Sequence, residues 1–175
     1  MTDNAHTSHK SPLRPDQVKD PVCGMPVARD QHALTYLQMH FAFCSAQCRQ
    51  RFLANPGLYV GHPGHKAPVQ QGQVVLKRRR LKLTEPLPAP LAQAILKSIG
   101  EMMGIGHIRI DSDTIEIEYD LLQVTEEQIE SVLGDAGATL NDRWSERLRR
   151  AFVHYLEETE IASLEVSGSG GAHHH

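Results

Sequence analysis

Three cysteines carry the chemistry open to this sequence: Cys23 in DPVCGM, and Cys44 and Cys48 in FAFCSAQC. Residues four apart share a helix face, so the sulfurs of Cys44 and Cys48 can aim at one point. Gly24, beside Cys23, permits the tight backbone turn of a metal-binding loop. Three thiolates select soft or borderline ions such as Cu(I) or Zn(II), one per chain, and disfavour Mg(II) and Ca(II), which want oxygen. Zinc usually takes four ligands, whereas Cu(I) can rest with three or fewer, so the fourth position matters. Candidates for it are His40, on the strand leading to Cys44, and Met25, two residues after Cys23; His32, His62 and His65 are weaker choices. An open fourth position suits passing the ion on, and a closed one suits a structural role.

Two other readings compete. A redox pair uses Cys-x-x-Cys, and this spacing is one residue longer. Buried free cysteines also serve as small core residues. His40 reads equally well as a surface or packing histidine. Energetics favour the metal: a module of roughly 40 residues buries too little apolar surface to stand without a staple.

The elements that position the thiols follow from periodicity. Leu34 to Phe43 alternates and predicts one half-buried strand, with Leu37, Met39, Phe41 and Phe43 on one side and Tyr36, Gln38, His40 and Ala42 on the other. Ser45 can cap a helix running through Cys48 and Phe52 to Asn55-Pro56. Residues 1–17 read as a disordered tail, 18–60 as the cysteine module, and 61–73, GHPGHKAPVQQGQ, as a linker.

A second module covers 74–144. Val74 to Thr84 predicts a strand containing KRRRLK. Ala89 to Met103 predicts a helix with Leu91, Ile95, Ile99, Met102 and Met103 on one face, stopped by Gly104. Ile105–Ile110 and Thr114–Tyr119 predict a hairpin. Thr125 and Gln128 make a capping box for a helix ending at Gly137, and Ala138 to Asn141 starts a last strand. The order βαββαβ is ferredoxin-like. A helical pattern that starts at Asp142 and leads into a C-terminal helix over 145–166 carries Trp144, Leu148, Phe152, Tyr155 and Leu156 at helical spacing, to pack on its own module or on a second copy as a homodimer; His154 beside that stripe reads as structural. The KRRRLK run reads as an edge strand protected by charge, with an electrostatic docking strip for an acidic partner as the sharper alternative.

The chain has 175 residues, 40% hydrophobic and 22% charged, with net charge -3, so nothing pulls it toward nucleic acid or an anionic membrane. No apolar run is long enough for membrane insertion. The polar start lacks the apolar middle of a secretory signal, so a cytoplasmic protein is expected, where stable disulfides are disfavoured. The tail SGSGGAHHH, within 167–175, reads as linker and partial affinity tag, which removes His173, His174 and His175 from any ligand set. No nucleophile–base pairing, phosphate-cradling loop or carboxylate dyad stands out, so an enzyme is not expected.

From Asp20 to about Tyr59 the sequence resembles the YHS domain, part of the TRASH group of metal-trafficking, resistance and sensing domains, through DPVCGM, Tyr36, Phe43-Cys44-Ser45, Cys48, Phe52, Pro56 and Tyr59. The resemblance implies a small treble-clef, zinc-finger-like fold with metal on the three cysteines, and an association with metal-transporting P-type ATPases. Gln38 replaces a turn glycine often found after the tyrosine, and Ala42 replaces an aromatic. The second module, through GIGHIRID, IEIEYD and VTEEQIESVLGDAGA, resembles the heavy-metal-associated domain. That family holds metal with Cys-x-x-Cys in the first strand–helix loop, where this chain has TEPLPAPLA, so the resemblance implies the fold without the ligands. The whole is expected to be α+β. The expected function is a heavy-metal-binding accessory protein that carries Cu(I) or a similar ion for trafficking, buffering or delivery to a P-type ATPase. The alternative is a structural zinc module in a docking or metal-sensing protein.

Overall fold

The computed structural model describes residues 13–168; most of the expected tail, residues 1–12, and the expected tag, residues 169–175, lie outside the described residues. Short antiparallel ribbons begin the chain: β1 (Gln17–Lys19) pairs with β2 (Pro26–Ala28), and β3 (Leu34–Tyr36) with β4 (Met39–Phe41). The single strand expected over 34–43 is thus a hairpin. Its turn residues Leu37 and Gln38 have φ of 48° and 63°, the left-handed pair of a type I′ turn, whose twist matches the flanking strands. The turn resets the alternation. Leu37 and Met39, expected inside, are 65% and 43% exposed, while Tyr36 and Phe41 both pack on Phe52.

Phe52 projects from α1 (Ala46–Ala54), whose Ser45 N-cap accepts the Cys48 N–H. Phe43 and Tyr59 complete a ring of four aromatics around it, with centroids 4.9 to 5.8 Å away. A 3₁₀ turn, Pro56–Leu58, follows. Residues 61–73, expected as a linker, are partly built into the fold: Ala67 is buried and Val69–Gln71 form another 3₁₀ turn.

The second region is a three-stranded antiparallel sheet, β5 (Leu76–Lys82), β6 (Ile105–Asp111) and β7 (Thr114–Asp120), in the order β5-β7-β6. Helices α2 (Ala89–Gly100) and α3 (Glu126–Asp135) cover one face; Ile115, Ile117, Leu81, Ile95, Ile99, Ile129 and Leu133 fill the space between. Thr125 and Gln128 form the reciprocal capping box. Gly104 is at φ 89°, and a Cβ there would sit 2.7 Å from the Gln123 Cβ, so only glycine fits this return to β6. The last expected strand shrinks to one bridge, Leu140 to Leu83, because the chain must leave for a helix within a few residues of Gly137. The arrangement is α+β, with ferredoxin-like strand order and a fourth strand one pair long.

The basic run is neutralised within the chain. Arg78 and Arg80 lie on the open sheet face against Glu118 and Glu116. Lys77 and Arg79 turn inward to Glu160, Glu126 and Glu157, and Lys82 meets Asp113. The Arg78 and Arg80 side chains stay 86% and 78% exposed despite these pairs.

α4 (Trp144–Gly168) supplies two of those inward glutamates, Glu157 and Glu160, and α3 the third, Glu126. Its packed side is largely polar: Glu157 is 2% exposed and accepts from the Tyr119 hydroxyl and the Glu126 N–H, with Ile161 beside it. The apolar stripe faces outward, with Trp144 77%, Leu148 54%, Phe152 59% and Tyr155 62% exposed. The two regions share one core and are stitched by polar bonds. Gln47 exchanges two hydrogen bonds with the Met103 backbone, Arg51 donates to the Leu121 carbonyl, Tyr59 donates to the Leu122 carbonyl, and Glu165 of α4 accepts from Asn55 and the Gly57 N–H. None of the helices is long and apolar enough to cross a membrane, among the described residues.

Candidate metal centre

Two backbone devices bring the thiols together. The loop between β1 and β2 folds on itself, with the Asp20 N–H donating to the Met25 carbonyl and the Gly24 N–H to the Asp20 carbonyl, both at 2.9 Å. Gly24 holds φ 76°, the left-handed conformation the turn requires. This knuckle presents Cys23. The second device is the start of α1. Cys44 does not share the helix with Cys48, as its spacing suggested; it lies one residue before the Ser45 cap. The extended cap still swings its thiol to 3.5 Å from Cys48 and 3.5 Å from Cys23.

One donor atom each from Cys23, Cys44, Cys48 and Asp20 lies within 4.8 Å of the others. Sulfurs at 3.5 Å are too far apart for a disulfide, which needs about 2.05 Å. They are close to the spacing of about 3.8 Å that three thiolates take around tetrahedral zinc at about 2.3 Å per bond. The donor set therefore fits a soft or borderline ion with only small adjustment. Cys48 is buried, while Cys23 and Cys44 are half-buried. Cys23 borders an open cleft of about 690 Å³ between the two regions, which Phe41, Tyr59 and Gln123 help to line.

Asp20 is the residue that the cysteine count missed. It is 1% exposed. Its Oδ1 accepts from the Val22 N–H at 2.8 Å and the Cys23 N–H at 3.4 Å, and its Oδ2 accepts from the Cys44 N–H at 2.8 Å. One carboxylate thus ties both cysteine-bearing segments in register, and with both oxygens engaged it acts as a positioning group. An aspartate two residues before an N–H it can accept is an Asx-turn former, a signal already present in DPVC.

The other sequence candidates go elsewhere. His40 is exposed on β4, and its Nε2 lies 2.6 Å from the Arg29 carbonyl. Met25 is 46% exposed, and its carbonyl serves the knuckle. His32 is exposed at φ 45°, and His62 and His65 bridge each other on the surface. Among the described residues, no histidine joins the thiol cluster.

The thiols share protons. A hydrogen bond from Cys48 lowers the Cys23 pKa, whereas that same bond, with burial, holds Cys48 protonated. Burial pushes Cys44 up to about 11. Cys23 is therefore the first of the three to lose its proton, and near neutrality an ion must displace the protons of Cys44 and Cys48.

Comparison with known proteins meets this geometry here. Residues 18–63 match the YHS domain. The match covers the cysteine module and, with the thiol cluster, supports a metal-binding protein. A search of curated proteins finds no match. Among solved structures, apo-CopP from Helicobacter pylori aligns with 37% of this chain and 100% of its own at 21% identity and a TM-score of 0.35; similarity at that level establishes no shared fold.

Proposed function

We propose that the chain takes up one Cu(I) or Zn(II) on Cys23, Cys44 and Cys48 and gives it to a partner such as a metal-transporting P-type ATPase. The observation that carries this reading is a three-sulfur cluster within bonding reach of one ion, with Cys23 and Cys44 half-buried and Cys23 beside an open cleft. Three donors and an approach from solvent leave room for an incoming ligand from the partner, which is what transfer requires. The work is binding and hand-over rather than catalysis, in a reducing compartment such as the cytoplasm, where thiols stay free. Competition titration with a chromophoric Cu(I) chelator tests it on the parent and on Cys48→Ser. Equal affinity in the two would sink the assignment. A zinc that survives purification and resists chelation would favour the structural alternative instead.

The stripe on α4 supports a second element of this reading, a homodimer. Trp144, Leu148, Phe152 and Tyr155 line one exposed face. Arg147 and Glu158, both exposed, flank it three helical turns apart. Antiparallel packing of two copies of α4 brings each Arg147, which lies 3.5 Å from Asp142 of its own chain, toward the other copy's Glu158, so the surface is self-complementary in charge. Light scattering after size exclusion should report twice the chain mass, and Phe152→Glu should report one; a parent monomer at high concentration rejects the dimer. If the mass changes with bound metal, the protein works as a sensor rather than a carrier.

A further inference from the structure

A second cluster of metal-binding groups lies between α3 and α4, away from the thiols. Glu126 and Glu130, four residues apart on α3, face His154 of α4, and one donor atom from each lies within 4.8 Å of the others. Glu126 is 0% exposed; the side chains of Glu130 and His154 are 15% and 24% exposed. Glu126 Oε1, Glu130 Oε1 and His154 Nε2 are all buried without a hydrogen-bond partner. Each such orphan costs about 1–3 kcal/mol, and in native proteins an unpaired buried group of this kind signals a water or an ion.

The surroundings aim these atoms. Arg79 Nε holds the other oxygen of Glu126 at 2.9 Å, and Arg150 Nε approaches the other oxygen of Glu130 at 3.6 Å. Burial pushes Glu126 up to about 6 and raises Glu130, and the two cations oppose that shift. The neighbouring Glu157 is already engaged by Tyr119, Arg79 and the Glu126 N–H, so it does not complete the cluster. His154 Nε2 and Glu130 Oε1 lie 3.4 Å apart, an ion-pair contact when the imidazole is protonated, though outside hydrogen-bond geometry.

We propose that Glu126, Glu130 and His154 form a second, thiol-free site for a first-row divalent ion that accepts nitrogen and oxygen together, from Mn(II) to Zn(II). Such an ion pins α4, with its exposed apolar stripe, to the sheet domain through α3. Because its donors are harder than thiolate, the site does not compete with Cys23, Cys44 and Cys48 for Cu(I). The proposal stands or falls independently of the thiol site.

The probe is Mn(II), which disfavours sulfur, followed by the loss of the free-ion paramagnetic resonance signal on titration into the full chain. The parent and Cys48→Ser should each take one ion and unfold at higher temperature with Mn(II) present. His154→Gln and Glu130→Gln should weaken uptake at least about tenfold, and His154→Gln should lose the thermal shift; the terminal histidines are common to all four proteins. Circular dichroism checks that the variants fold, and His154→Gln decides if Glu130→Gln does not. No uptake by the parent, as expected if a water fills the cluster, overturns the proposal. Uptake unchanged in His154→Gln also overturns it.

Discussion

The two regions of the molecule solve the same packing problem with different means. The sheet domain presses the aliphatic faces of α2 and α3 onto seven-residue strands, and its core is made of Ile and Leu from five elements. The cysteine module has strands of three residues and gathers four aromatic rings around Phe52. Few side chains carry that packing, so each carries a large share, and the thiol cluster at the N-terminus of α1 can supply a staple that the sheet domain does not need. Position-specific chemistry holds the first region together, and repetitive burial holds the second.

The largest expected effect tests that concentration of packing. Phe52→Ala removes the central ring and should destabilise the metal-free protein by about 3–5 kcal/mol, read from denaturant unfolding. A loss under about 1.5 kcal/mol, the range of tolerated core swaps, would mean that the aromatic ring is not the centre of this region.

Proton release distinguishes the regions next. An ion that displaces protons from both Cys44 and Cys48 binds at least about a hundredfold more tightly per unit rise in pH near neutrality. Titrations at several pH values check the slope, and a pH-independent affinity would place the ion elsewhere. The metal-free protein shows the opposite trend at high pH. The folded pKa of Cys44, about 11, lies above its ordinary 9.0. Its contribution to stability is therefore complete below pH 9.0 and lost as pH rises toward 11.

Asp20→Asn isolates the positioning of the thiols from their presence. The amide can accept on one side only; its NH₂ would face a backbone N–H that Asp20 now receives from Cys44 or from Val22. Metal affinity should fall about 10–100-fold, as for other groups that orient ligands, with all three cysteines intact. Unchanged affinity would show that the knuckle and the Ser45 cap suffice without the carboxylate.

Sequence legibility follows the same division. The sheet domain was readable because periodic burial repeats: the capping box at Thr125 and Gln128, the helix faces and the β6–β7 hairpin all fall where the pattern puts them. Where the pattern left readings open, tertiary context decides. α4 turns its apolar stripe outward because Arg79, Lys77 and Tyr119 offer its glutamates better partners. His154, read as structural, lies near two carboxylates of α3 that no local spacing links to it. In the cysteine module the three thiols were visible as residue types, but their meeting depends on the knuckle, the extended cap and Asp20. The supposed strand failed at Leu37-Gln38, where neither residue announces a left-handed turn as Asn-Gly would.

That turn yields the smallest predicted effect. Gln38 holds φ 63°, a conformation that costs an L-residue about 1–2 kcal/mol. Glycine removes this strain but gives up about 0.5–1 kcal/mol of chain entropy. Gln38→Gly should therefore stabilise by about 0.5–1 kcal/mol, seen as a higher denaturant midpoint. Ser112, at φ 55° in the β6–β7 turn, makes the matched control in the sheet domain. The shared core and the bonds from Gln47, Arg51 and Tyr59 predict one cooperative transition, so both glycine variants should raise the same midpoint. If only Ser112→Gly does so, the cysteine module opens before the sheet domain, and the metal rather than the shared core is what keeps it closed.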